Sequence, residues 1–166
     1  MQHAIGMSIH TGWAACVVVG GTPARPAIVA NQTIEILGDP ERFCFHKAAE
    51  MPRGAAEKWI TQARHKALAN ARRALTPLLA QGVSVCAIVA KGGDAGDLDK
   101  VLASHSRIHT AEGCFYRDVL SEACSVPVSL VAPSSLDPSK VGKLAGPPWG
   151  RDQKLAALAA WSVMRR

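Results

Sequence analysis

The spacing of hydrophobic and polar positions changes several times along the chain, and each change marks an element. Ala4 to Gly20 is apolar almost throughout. Its Ala-Ala-Cys-Val-Val-Val run has the composition of a strand buried on both faces. One polar patch, Ser8-Ile9-His10-Thr11-Gly12-Trp13, is embedded in it. Gly20-Gly21-Thr22-Pro23 is a turn. Pro26 to Leu37, with Ile28, Ile34 and Ile36 apolar, predicts a second, antiparallel strand. Gly38-Asp39-Pro40 is another turn, and Arg42 to His46 is a short candidate third strand. The period then lengthens. Ala56, Trp59, Ile60, Ala63, Ala67, Ala71, Ala74 and Leu78 recur at helical spacing between Pro52 and Leu79, and Pro52 suits a first helical turn. Gln81-Gly82 ends that helix. Val83 to Ala90 predicts a buried central strand parallel to the first, followed by a Lys91-Gly92-Gly93-Asp94 loop.

The next helix carries the strongest functional signal. Read as one helix from Leu98 to Cys124, its residues sort cleanly at about 100° per residue. Leu98, Val101, Ile108, Phe115, Tyr116, Val119 and Ala123 form an apolar stripe, and Asp99, Lys100, Arg107, Thr110, Arg117, Asp118 and Ser121 form a polar one. His105, His109 and Glu112 fall near the centre of the apolar stripe, spaced i, i+4, i+7. Ionisable groups aimed at a core are costly unless paired, hydrogen-bonded or metal-bound. A break near Ser104, with Ser106 capping a second helix and His105 outside it, is the alternative. Ser125-Val126-Pro127 closes this segment. Val128 to Val131 predicts a last strand, and Ala132 to Gly150 an ordered, turn-rich loop over the strand ends. Asp152 to Met164 predicts a closing helix with Leu155, Leu158, Ala159 and Val163 facing inward.

Bulk composition narrows the classes. With 166 residues, the chain has room for one domain with a substantial core. Hydrophobic residues make up 48% and mean hydropathy is +0.08, as in soluble globular proteins. No apolar run approaches the roughly 18 residues of a membrane span, and the N-terminus lacks a signal-peptide pattern, so no membrane association and a cytoplasmic location are expected. Five cysteines, none in a CxxC pair and most in apolar runs, read as reduced core residues. A net charge of +6 favours polyanions weakly. Lys58, Gln62, Lys66, Arg72 and Arg73 lie outside the long helix's apolar stripe, either as a solvated face or as a phosphate-contacting one.

The element order β-β-β-α-β-α-β-α predicts a single-domain α/β protein, spanning residues 1–166, with a ribonuclease H-like mixed sheet flanked by helices. A flavodoxin-like sheet would need a crossover helix between the first strands. The residues agree. Gly6-Met7-Ser8-Ile9-His10-Thr11-Gly12-Trp13-Ala14 resembles the first strand of Holliday-junction resolvase-type nucleases, and Asp152 opens the last helix where that superfamily commonly keeps a metal-binding acid. The resemblance has gaps. Ser8 stands at the position of the first-strand catalytic aspartate, and Val89-Ala90-Lys91 where the middle-strand acid belongs. Two-metal phosphodiester cleavage needs several carboxylates, and only Asp152 survives. A second resemblance, through SxHTGWA, LASHxxIHxAEG and GPPWGxDQKxAAxAAW, is to a group of uncharacterised bacterial proteins.

The candidate catalytic residues are therefore Ser8, His10, His109, Glu112 and Asp152, with Thr11, Lys91, Arg117 and Lys154 as substrate contacts. His105, His109, Glu112 and His46 are candidate ligands for a divalent metal such as zinc, manganese, iron or nickel. A buried polar network is the competing reading, with Glu112 paired to His109 or to a buried cation. Arg117 and Asp118 read as a surface pair, Pro147-Pro148-Trp149-Gly150 as a lid or as a rigid lead into the last helix, and Trp13, Trp149 and Trp161 as anchors. Functionally the chain reads as a metal-dependent hydrolase or nuclease with degenerate carboxylates. The alternative is a non-catalytic nucleic-acid or protein binding module using Lys58, Lys66, Arg72 and Arg73. A structural role for His105 and Glu112 at a homodimer interface is the third reading.

Overall fold

The apolar run that begins the chain folds back on itself. In the computed structural model, which describes residues 2–164, His3–His10 (β1) and Trp13–Thr22 (β2) form an antiparallel hairpin with His10 opposite Trp13. The single strand expected over Ala4 to Gly20 is thus two. The polar patch is the turn: Gly12 takes φ +89°, where a side chain is strained, and an added Cβ would lie 2.5 Å from the Arg42 side chain. Arg25–Glu35 (β3) pairs antiparallel with β2. Val83–Val89 (β4) pairs parallel with β1, Ser8 opposite Val89, and Val128–Val131 (β5) pairs parallel with β4. The sheet order is β3-β2-β1-β4-β5.

Arg42 to His46 is not a strand. Glu41–Phe43 is a 3₁₀ turn leading into the helix Cys44–Ala49 (α1). Strand alternation would place Phe43 and Phe45 on one face, but Phe43 is exposed while Cys44, Phe45 and Ala48 are buried together. That i, i+1, i+4 set is a helical face, and it packs on the long helix Arg53–Leu79 (α2). The alanines Ala63, Ala67 and Ala71 form the buried face of α2 with Leu68, Leu75 and Leu78.

The helix expected over Leu98 to Cys124 is broken. Leu98–Leu102 (α3) starts at Asp97, whose side chain accepts from the Lys100 amide. Ser104 is extended at φ −138°, and His105–Ala123 (α4) starts immediately after it. His105 is therefore the first residue of α4, inside the helix rather than outside it. The consequence is a split among the three ionisable residues. Glu112 is buried, but His105 and His109 are exposed instead of facing the core.

Arg151–Met164 (α5) covers the opposite face of the sheet. Alternation along β1 serves both layers. Ile5 and Met7 enter the core beneath α2 and α4, and Ala4 enters the one beneath α5. The loop between β5 and α5 is tied to β3. Asn31 of β3 donates through Nδ2 to the Pro148 carbonyl at 2.5 Å, and Trp149 donates through Nε1 to the Gly142 carbonyl at 2.8 Å, which holds the loop along β3. All five cysteines are free, and among the described residues no helix is long and apolar enough to cross a membrane.

Candidate functional site

Gly6 fixes one half of the site. An added Cβ would lie 1.8 Å from the Ala156 carbonyl oxygen, so the α5 backbone rests directly on β1 there. One helical turn earlier on α5 stands Asp152, and two residues later on the same face of β1 stand Ser8 and then His10. The contact brings the three together. Asp152 Oδ1 accepts from Ser8 Oγ at 3.1 Å and from His10 Nε2 at 2.8 Å. The His10 ring also stacks on Trp13, with centroids 4.2 Å apart and planes 5° from parallel. A carboxylate can only accept, so His10 carries its proton on Nε2 and presents Nδ1 elsewhere. Lys154, two residues beyond Asp152, is not on the wall of the neighbouring cavity.

The other half is built by α1 and α4. His105 and His109 are one turn apart on α4, and His46 of α1 faces both. The Nε2 atoms of His105 and His109 are 3.0 Å apart, and the His46 ring centroid is 5.2 and 4.7 Å from theirs. One nitrogen from each of the three lies within 4.8 Å of the others. Glu112 does not join them. It is 2% exposed, and its Oε1 accepts from His46 Nδ1 at 2.8 Å and from the His46 amide at 3.3 Å. With Nδ1 held by Glu112, Nε2 is the His46 nitrogen left for a ligand. A histidine held by a carboxylate from behind is the usual arrangement of a metal-ligating imidazole. His46, rather than His109 or a cation, is thus the partner of the buried carboxylate. Cys44 is pushed up to about 12 by burial and then by the Glu112 charge, and Tyr116 is raised by burial first, so both stay protonated at neutral pH.

A cavity of about 500 Å³ connects the halves. It opens where the parallel strands β1 and β4 end, with His10 and Thr11 on one wall, Ala90 to Gly92 on a second, and His109, Gly113 and Cys114 of α4 on a third. Gly113 has nothing within 4 Å of an added Cβ, so it keeps that wall low. Its place one turn after His109 was the sequence signal for it. Arg117 also reaches the cavity, but it is 8% exposed and not part of a surface pair. Its Nε donates to Asp118 at 2.8 Å and its Nη1 to the Lys91 carbonyl at 3.0 Å, which ties the loop after β4 to α4. The Asp118 carboxylate raises the Arg117 pKa further. Pro147-Pro148-Trp149 lies against β3 and does not cover this cavity.

Among the described residues, two of the four cations on the basic face of α2, Lys66 and Arg72, are paired with acids within the fold, and the other two, Lys58 and Arg73, are not. Lys66 pairs with Glu41 at 2.8 Å, Arg72 with Glu122 at 3.7 Å, and Arg73 donates to Asn70.

Fold and site together define a ribonuclease H-like α/β protein with a histidine-lined cavity at the ends of its central parallel strands. No family model and no curated protein matches the chain. Solved structures do. The chain is similar to Thermus thermophilus RuvC in complex with Holliday junction substrate, at 13% identity over 98% of this chain and 92% of that one, with a TM-score of 0.52. It is similar to another Thermus thermophilus RuvC structure at 13% identity, over 96% and 92% of the two chains, with a TM-score of 0.50. At this identity the likeness is one of fold.

Proposed function

We propose that the protein is a metal-dependent hydrolase of phosphate esters, with nucleic acid as the candidate polymeric substrate. The observation that carries this is the convergence of His46, His105 and His109 beside the cavity, with buried Glu112 behind His46. Three imidazoles suit zinc or a neighbouring transition ion better than magnesium, which prefers oxygen ligands in an octahedron. Tetrahedral zinc spaces adjacent ligand nitrogens about 3.3 Å apart; the His105 and His109 nitrogens at 3.0 Å are close to that spacing, and the His46 nitrogen lies within 4.8 Å of both. A divalent cation supplies Lewis acidity and charge for a developing oxyanion.

The chain's own residues do the rest. Glu112 fixes the His46 tautomer and offsets cationic charge. Lys91, exposed at the rim, attracts a phosphate, and Thr11 offers it a hydroxyl. Asp118 and the Lys91 carbonyl hold Arg117, so the β4 end of the cavity keeps its shape. The polymeric substrate is supported by the similarity to a resolvase bound to Holliday junction DNA.

The test combines metal binding with turnover. Purified protein is titrated with zinc and with magnesium by calorimetry, then assayed with bis(p-nitrophenyl) phosphate and with linear and branched oligonucleotides. The expected result is one tight zinc site, no comparable magnesium site, and hydrolysis lost on chelation and in His109→Ala. Absence of zinc binding, or turnover indifferent to His109→Ala, rejects the proposal. Oligonucleotide binding without turnover would make the chain a binding module.

A further inference from the structure

We infer that His10 is the proton-transfer residue of this cavity, held for that role by Asp152, and that Ser8 is what leaves Asp152 available. The inference rests on the hydrolase reading above, but its residues are separate from the metal trio. Two contacts orient the His10 ring: Asp152 Oδ1 on Nε2 and Trp13 stacked on one face. What remains is Nδ1, on a side chain that lines the cavity opposite His109. An imidazole oriented by a carboxylate, with its second nitrogen free to face a substrate, is built for general acid–base work.

Ser8 explains why the carboxylate is free for this. Two carboxylates packed together repel, and they need a cation or a shared proton between them. Position 8 instead holds a hydroxyl that donates to the same Asp152 oxygen that His10 uses. Asp152 is therefore a single negative group with two donors, and it serves as a positioning residue. The charged and titratable groups that share the cavity with His10 or contact it are Asp152 from α5, Lys91 from the end of β4, and His109, Cys114, Tyr116 and Arg117 from α4; Arg117 is committed to Asp118 and the Lys91 carbonyl.

The step balances as a hydrolysis. The oxygen of a water molecule bonds to phosphorus, and its proton passes to His10 Nδ1. The bond from phosphorus to the ester oxygen breaks, and the departing alkoxide takes a proton from imidazolium or solvent.

The experiment has two arms. Nitrogen-15 NMR of histidine-labelled protein reads the tautomer without any turnover. The Nε2–H form of His10 is expected in the wild type, with a mixture of forms in Asp152→Asn. In the second arm, zinc-loaded wild type, His10→Gln and Asp152→Asn are assayed on bis(p-nitrophenyl) phosphate across pH. His10→Gln is expected to lower kcat by about 100-fold or more and to remove the acid limb of the pH–rate profile, with zinc affinity unchanged. Wild-type turnover retained in His10→Gln, or an Nδ1–H form of His10, overturns the inference alone, whereas a protein inert to the diester overturns the hydrolase reading and the inference with it. Zinc that fails to bind while His10-dependent turnover persists overturns the metal reading alone.

Discussion

Glu112 sits among Ile108, Ala111, Phe115 and Tyr116 with almost no exposure, and its hydrogen bond to His46 supports it there. Removing one partner of such a buried pair leaves the other uncompensated. Glu112→Ala is expected to destabilise the fold by about 2–4 kcal/mol, combining the cavity with the lost acceptor, as read by urea denaturation. Glu112→Gln keeps the volume and should change stability less. It should weaken zinc binding by about 10–100-fold, the usual cost of losing a carboxylate behind a ligating histidine, as read by calorimetry. Ser8 allows a converse test. Ser8→Asp sets a second carboxylate against Asp152, where two anions recruit a hard cation. Magnesium binding that is absent from the wild type is the expected gain, and fluorescence of the nearby Trp13 is a convenient monitor.

At the scale of elements, the placement of α5 depends on a missing side chain. A methyl at Gly6 cannot coexist with the Ala156 carbonyl at 1.8 Å, so Gly6→Ala must lift the helix or bend the strand. Overpacking of this kind costs about 1–3 kcal/mol. It should also separate Asp152 from Ser8 and His10, visible as a change in the His10 nitrogen shifts alongside a lower melting temperature. Much of this level was legible in the sequence. The helical stripe of α2, the β4 run and the α5 segment all follow from periodicity, and their order is that of the observed fold. Two local errors compensated each other. The first apolar run conceals a hairpin, because the polar residues Ser8 to Trp13 that interrupt it are the end of one strand and the turn into the next. The Arg42–His46 segment alternates like a strand over so few residues that only its partners, α2 and α4, decide for a helix. The α3–α4 break had a weak signal in Ser104. That break, together with the start of α4 at the rim, exposes His105 and His109 while Glu112 stays buried. Of the candidates named from the sequence, Ser8 and His10 both donate to Asp152. The pairing of Glu112 with His46 could not be read from the sequence, since it joins residues 66 positions apart on elements whose packing periodicity does not specify.

For the molecule as a whole, accessibility divides the cysteines. Cys16, Cys44 and Cys86 are buried; burial holds the first two thiols well above their ordinary range, and the hydrogen bond to Cys124, then burial, raises Cys86. Cys114 and Cys124 are partly exposed, and the Cys86 thiol, by hydrogen-bonding to Cys124, lowers the pKa of the latter. Native-state alkylation should therefore modify at most these two, and mass spectrometry should find the other three labelled only after unfolding. Because Cys114 lines the cavity, a bulky maleimide on it should block turnover, whereas one on Cys124 should not.

The cavity also has a dimension set by the architecture. His109 belongs to the helical layer on one side of the sheet, and His10 is tethered through Asp152 to the helix on the other. The end of the sheet acts as a caliper between them, its jaws fixed by two independently packed cores. A substrate that engages both jaws is gauged by its reach across the end of the sheet before any chemistry begins.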